Sequence, residues 1–338
     1  MENKIYGNEK LLSFFRNASG AGRLSHAYIL EGGEGSGKKT LASFVARLIN
    51  CKSLGERPCG VCESCRKISE GIDPDVKTVV AEKDKKQIGV DVMRDLRADV
   101  YISPNEEDCK VYIIPDAQNM NVQAQNVFLK TLEEPPANVY FLLLCSNIAN
   151  MLPTVRSRAP SLKMQIFSES ELRSHLLDID PSLRSLDPSE FDMTVRLAGG
   201  RIGEALRLLG DSKKTSGETP RDKAESLVDL LIGKNDTASS LVFARKSVKG
   251  RDEGRDVLLY SIYALRDLVA AKKGGKGVTM LFYGDRQKAE ALAENQTSAR
   301  LVSVVSLFEE AYNGIQLNLN TDNLFTDLIV SVRKTAGI

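Results

Sequence analysis

The chain has 338 residues, with 42% hydrophobic and 27% charged side chains, a composition that reads as soluble and globular with room for two or three cores. Its 46 Lys and Arg nearly balance 45 Asp and Glu, so no global basic field draws it to nucleic acid. The N-terminus MENKIYGNEK has no apolar signal region, and no apolar run approaches the ~20 residues that span a bilayer, so a cytoplasmic protein is expected.

In the first half, short β-rich runs alternate with helical stretches. AYILE (27–31), VKTVVA (76–81), KVYIIP (110–115), VYFLLLC (139–145) and LKMQI (162–166) are the strand candidates. Their nearly continuous apolar character suits a parallel sheet buried on both faces. Between them, 121–134 shows a helix pattern with Ala124, Val127, Phe128 and Leu132 on one face. The alternation predicts a three-layer α/β domain over 1–166.

Between the first strand and the next helix lies GGEGSGKKT. Gly32, Gly37 and Lys38 fit a phosphate-binding loop, whose pattern ends in Gly-Lys followed by Ser or Thr. Here Lys39 follows, and the first hydroxyl is one residue late, at Thr40. Backbone N–H groups and a helix N-terminus can still cradle phosphate, with the Lys38 ammonium beside it. The magnesium site is weakened. A plain Gly-rich turn is the alternative. An acidic residue should close a later strand. VYIIPDAQNM supplies Asp116, an indirect magnesium ligand or merely a turn cap, with Ala117 after it.

Cys51, Cys59, Cys62 and Cys65 form C-x7-C-x2-C-x2-C in an insertion at about 50–70. Four thiolates converging through tight turns favour a closed, structural Zn2+ site, with an iron–sulfur cluster as the alternative. Cys109 and Cys145 stand apart and read as core or near-strand residues. After 167 the strands stop. Ser168 with Glu171 makes a capping box, Asp187-Pro188 opens a further helix, and Gly199-Gly200 ends it. This helical piece spans 167–212. DSKKTSGETP (211–220) reads as a linker, and a helical domain follows over 213–338, interrupted by KKGGKG (272–277). Its stripes are Leu258, Ile262, Leu265 and Val269, then Leu301, Val304, Val305 and Phe308.

In this order the motifs resemble those of bacterial clamp-loader subunits of DNA polymerase III, which are AAA+ proteins. GRLSHAYILEG, PCGVCESCRKISEG, MNVQAQNVFLKTLEEPPANVYFLL and LPTVRSRA carry the resemblance, with Ala159 replacing the cysteine of the family's Ser-Arg-Cys motif. It is dense from residue 5 to about 210 and thinner beyond, where LNLNTDNLFTDLIVSV is similar to the last collar helix. The resemblance implies a P-loop AAA+ domain, a helical lid and an all-α collar that joins a pentameric ring. It implies motor (gamma/tau) and delta subunits as partners, and the sliding clamp and primed DNA through the complex.

Within the family, the motor class needs the loop hydroxyl, an Asp-Glu pair and a lid-helix arginine. This chain has Lys39, Ala117 and, in an ungapped alignment of GGRIGEALRLL, Gly203, with Arg201 two positions earlier. The expectation is therefore the non-hydrolysing delta-prime class, a scaffold with a degenerate nucleotide site at Gly32, Gly37, Lys38, Thr40 and Asp116. Whether ATP and Mg2+ bind there is left open. Arg158 would then be an arginine finger for the neighbour's ATP site; a surface salt-bridge arginine is the alternative. A gamma/tau-type motor and, in another class, a zinc-containing nucleic-acid-binding module are the competing functions. His26 reads as a hydrogen-bonded residue at the strand's entrance, and Glu133 and Glu134 as turn and interface residues.

Overall fold

The computed structural model describes residues 5–335 except 84, 86, 215–217, 234–236, 275–277, 279 and 317–318. The chain divides into two compact units: residues 1–181 with 198–206, and residues 182–197 with 207–338.

The first unit is built on a five-stranded parallel sheet of order β2-β3-β4-β1-β5. In chain order it contains α1 (Glu9–Gly20), β1 (Ala27–Glu31), α2 (Lys38–Asn50), α3 (Glu63–Glu70), β2 (Val76–Thr78), α4 (Val90–Asp99) and β3 (Lys110–Ile114). There follow α5 (Val122–Glu133), β4 (Val139–Cys145), α6 (Pro153–Arg156), β5 (Ser161–Lys163) and α7 (Glu169–Ile179). The strand alternation sorts side chains to two buried faces. Ile29, Tyr112, Phe141 and Leu143 point to a core shared with Met93, Leu96, Phe128 and Leu132 of α4 and α5. Tyr28, Leu30, Val111, Leu142 and Leu144 face a core shared with Phe15 of α1, Leu41 and Val45 of α2 and Ile68 of α3. The three layers thus follow from near-continuous apolar strands.

β1 and β4 match their expected spans, β3 stops one residue short at Ile114, and both edges are shorter. The run 76–81 gives β2 only to Thr78, and 162–166 gives β5 as Ser161–Lys163. Met164 N still donates to Glu31 O at 2.8 Å, after which the chain turns to side-chain pairing: Gln165 N donates to Asn8 Oδ1 at 2.8 Å, and Asn8 N to Gln165 Oε1 at 3.0 Å. Edge strands have one ladder fewer to hold them, so they fray first.

Ser168 and Glu171 do form a capping box at the start of α7. Next come α8 (Pro188–Leu197) and α9 (Ile202–Lys214). The expected linker 211–220 is corrected at its start, because α9 continues through Lys214; Asp, Ser and Lys tolerate a helix, unlike the Gly and Pro further on. Residues 215–217 lie outside the described residues. Thr219 and Asp222 then make a second capping box, with Pro220 in the first turn of α10 (Pro220–Ile232).

The second unit is helical. It includes α10, α11 (Thr237–Ser247), α12 (Arg251–Lys273), α13 (Arg286–Ala293), α14 (Ser298–Gln316) and α15 (Thr321–Lys334), with α12 packed against α10, α13 and α14. Leu258, Ile262 and Leu265 of α12 meet Leu301, Val304 and Phe308 of α14 in one core, as their spacing predicts. Gly274 caps α12, so the expected break falls where the glycines begin.

Candidate functional site

The phosphate loop leaves the sheet where β1 ends. Gly32 N donates to Cys145 O at 3.0 Å, which anchors the exit. Gly35 and Gly37 take φ of 75° and 90°, left-handed values that other residues avoid. They curl the chain into the N-terminus of α2, which Lys38 opens. Lys38 Nζ donates to Gly33 O at 2.9 Å and also to Gly32 O. Burial pulls its pKa down, Asp116 pulls it back up, and the nearby charge of Arg201 lowers it again. Ser36 Oγ is buried in the loop with no hydrogen-bond partner. An orphaned hydroxyl, a bent-back ammonium and a glycine-rich turn at a helix N-terminus fit a bound phosphate group. Lys39 is exposed and Thr40 half-buried on the first turn of α2.

The start of α9 closes over this loop. Gly203 N donates to Gly35 O at 2.8 Å. A Cβ on Gly35 would lie 2.3 Å from Glu204 N, and one on Gly203 2.9 Å from Gly35 O. Arg201 Nη1 donates to Glu34 O at 3.1 Å, and its Nε to Ala198 O at 3.0 Å. Gly203, where the ungapped alignment put the lid-helix arginine, is the close-approach residue, and Arg201, two positions earlier, is the arginine that reaches the loop.

Asp116 is exposed just beyond β3, with φ of 49°. Its charge acts on Lys38, so the two belong to one site. Ala117 is fully buried in the sheet core. It carries no carboxylate and faces away from solvent, so position 117 provides no general base.

Arg158 lies at the other end of the sheet. Ser161 of β5 pairs with Ile29 of β1, and the strands are parallel. The phosphate loop follows the C-terminal end of β1, whereas Arg158 precedes the N-terminal end of β5. At about 3.3 Å per residue, the first residue of β5 lies roughly 10 Å from the start of the loop along the strand direction, and Arg158 precedes it. Arg158 Nη2 pairs with Glu133 Oε1 at 2.7 Å, with side chains 35% and 47% exposed. Its Nη1 donates to Thr154 O at 3.0 Å. The guanidinium is thus fixed, partly exposed and remote from its own chain's loop. Glu133, read from the sequence only as a turn and interface residue, is its partner; a helix-end carboxylate 25 positions upstream gives no sequence signal of that.

The four cysteines converge. The Sγ atoms of Cys51, Cys59, Cys62 and Cys65 all lie within 4.8 Å of one another. A tetrahedral zinc with Zn–S bonds of ~2.3 Å needs S···S separations of about 3.8 Å, so this donor set fits a metal ion after slight contraction. Backbone N–H groups already point at the sulfurs: Cys59 N to Cys51 Sγ and Cys62 N to Cys59 Sγ, each 3.3 Å, and Cys65 N to Cys62 Sγ at 3.5 Å. The amides of Cys62 and Val61 hold the Cys59 thiol down to about 6, which favours the thiolate that metals bind. Burial pushes Cys65 up.

The remaining candidates are structural. The carbonyl of His26 accepts from Phe141 N at 2.8 Å, but its imidazole Nε2 is buried without a partner, so only its main chain makes the expected bond. Cys145 is buried at the end of β4, and burial raises the pKa of both Cys145 and Cys109. Among the described residues, no helix is long and apolar enough to cross a membrane.

Residues 7–168 match the family described as "DNA polymerase III, delta subunit". A DNA polymerase III subunit gamma of Buchnera aphidicola (Schizaphis graminum) is 26% identical over 87% of this chain and 84% of its own length. The DNA polymerase III subunit tau of Escherichia coli is 30% identical over 68% of this chain, which spans only 38% of that relative. Among solved structures, a DNA polymerase III gamma subunit-related protein of Thermotoga maritima aligns with 95% of this chain and 98% of its own at 18% identity and a TM-score of 0.41. The names of the two curated relatives fit the gamma/tau type better than the delta-prime class expected from the sequence. Residues 7–168 are thus similar to a DNA polymerase III delta-type domain, and the relatives that resemble the chain are named gamma and tau subunits.

Proposed function

We propose that this chain is an AAA+ clamp-loader subunit of DNA polymerase III, related to the gamma/tau type, that joins other loader subunits in placing a sliding clamp on primed DNA. One observation carries the reading: a phosphate loop with Lys38 and Arg201 at one end of the sheet, and a fixed arginine, Arg158, at the other. A subunit with both ends equipped can hold phosphate itself while completing a neighbour's site. In the loop, backbone N–H groups, Lys38 and Arg201 orient and neutralise phosphate oxygens, and Asp116 is the carboxylate available for a magnesium ion. Arg158 offers a planar guanidinium to charge developing on a phosphoryl group bound next door, a contribution of ~10³-fold or more where arginine fingers act. Cys51, Cys59, Cys62 and Cys65 would hold one Zn2+, which closes the insertion and has no part in the chemistry.

A second reading is favoured by Lys39 and the buried Ala117: a delta-prime-type scaffold that does not hydrolyse ATP. Arg201 on the loop weighs against one of the three losses that supported it, the missing lid-helix arginine. ATP turnover by the purified chain decides between them. Turnover at motor-like rates supports the gamma/tau type, and none above background, with nucleotide binding retained, supports the scaffold. Reconstitution with the other loader subunits tests the shared claim, since a chain that neither joins them nor affects clamp loading is not a loader subunit.

A further inference from the structure

Among the described residues of the helical unit, two arginines have no carboxylate partner. Arg333, on the last full turn of α15, is only 4% exposed. Its Nη2 donates to Leu230 O at 2.8 Å and to Ser240 Oγ at 3.4 Å, while its Nε is buried with no partner. Arg300, in the first turn of α14, is half-buried, and its Nε is likewise buried and unpartnered. Its Nη1 donates to Gln296 Oε1 at 2.5 Å, and Gln296 Nε2 donates to Ile232 O at 2.9 Å. Both guanidiniums are therefore tied to the same place, the C-terminal end of α10.

Among the described residues, no carboxylate pairs with either arginine. The influences that lower the pKa of Arg300 are burial and then the charge of Arg333. The end of α10 contributes only about half a negative charge against two positive ones. The first turn of α14, which bears Arg300, adds positive potential of its own. Buried cations with unused donors are costly unless a counter-charge arrives.

We propose that Arg300 and Arg333 form a binding site for a small oxyanion of the phosphate class, with Arg333 as its buried floor and Arg300 as its accessible rim. Guanidinium forks match the tetrahedral oxygens of such an ion, and the unpartnered Nε atoms give each fork a donor to spend. The site is independent of the phosphate loop, which lies in the other unit.

The test uses the full chain carrying Lys38→Ala, which silences the phosphate loop. Inorganic phosphate, compared with chloride at equal ionic strength, should raise the melting temperature by ~2–4 °C at saturation. Adding Arg300→Gln should abolish that rise while leaving the melting temperature in chloride unchanged or higher, because a like-charge repulsion is removed. If the Gln variant does not fold, Arg300→Lys keeps the charge and loses the fork, and calorimetric titration should then show at least tenfold weaker phosphate binding. No phosphate response in the Lys38→Ala chain, or an equal response after either change at Arg300, overturns the proposal.

Discussion

Glu133 Oε1 stands 2.7 Å from Arg158 Nη2, joining the end of α5 to a residue two positions past α6. The pair is half-exposed, so water screens it and its contribution to stability is under ~1 kcal/mol. Arg158→Ala and Glu133→Ala should each shift the urea midpoint of the isolated chain only slightly. A double-mutant cycle coupling well above ~1 kcal/mol would instead make the pair a structural tie.

Arg201 should matter to the loop beside it. Its guanidinium holds the Glu34 carbonyl and lies over Gly33. A hydrogen bond from a charged group contributes about 1.5–3 kcal/mol. Arg201→Ala should therefore weaken binding of a fluorescent ATP analogue roughly tenfold or more, with Lys38→Ala weakening it as well. Equal affinity in parent and Arg201→Ala would detach this arginine from the nucleotide site.

Gly35 is the tightest point between the loop and α9. It has φ of 75°, and an added Cβ would sit 2.3 Å from Glu204 N, a backbone atom that cannot rotate away. Gly35→Ala should cost about 2 kcal/mol or more in thermal or urea melts. Gly60, also left-handed but with open space around it, is the control and should cost less.

Much of this was legible in the sequence, for physical reasons. Continuous apolar runs specified β1, β3 and β4, because strands buried on both faces admit little else. The edge strands were misjudged in length, since the apolar pattern of 79–81 and 164–166 continues past the last ladder pair. The cysteine spacing anticipated the cluster because C-x2-C steps confine sulfurs locally. Arg201 and Glu133 were not legible in their roles. Each acts across a tertiary contact, with Glu34 and Arg158, that no local spacing encodes.

Metal removal tests the cysteine cluster. The purified chain should carry one zinc per molecule, and a strong chelator or Cys62→Ser should release it. The insertion, including the fully exposed Leu54, should then become the first site of limited proteolysis, because a structural zinc supplies ~10 kcal/mol of local folding free energy. An unchanged digestion pattern after metal loss would show that the cluster holds itself without the ion.

Acid stability should depend on Asp75. Burial opposes its ionisation, but the N–H groups of Glu106, Asn105 and Glu107 outweigh burial and hold the carboxyl below its usual range. A carboxylate depressed in the folded state stabilises above its unfolded pKa of about 3.9, and that contribution is lost as pH falls through the folded value. Asp75→Asn should lower stability at neutral pH and flatten the loss seen below about pH 4 in denaturation midpoints. Parallel pH profiles for parent and variant would contradict this.

The central claim is that Arg158 completes a phosphoryl site on another subunit. ATP turnover by the reconstituted loader, with clamp and primed DNA present, tests it most directly. With Arg158→Ala the complex should assemble normally, while turnover at the site that Arg158 completes falls on the order of 10³-fold and clamp loading falls with it. Normal assembly with unchanged turnover would contradict the account.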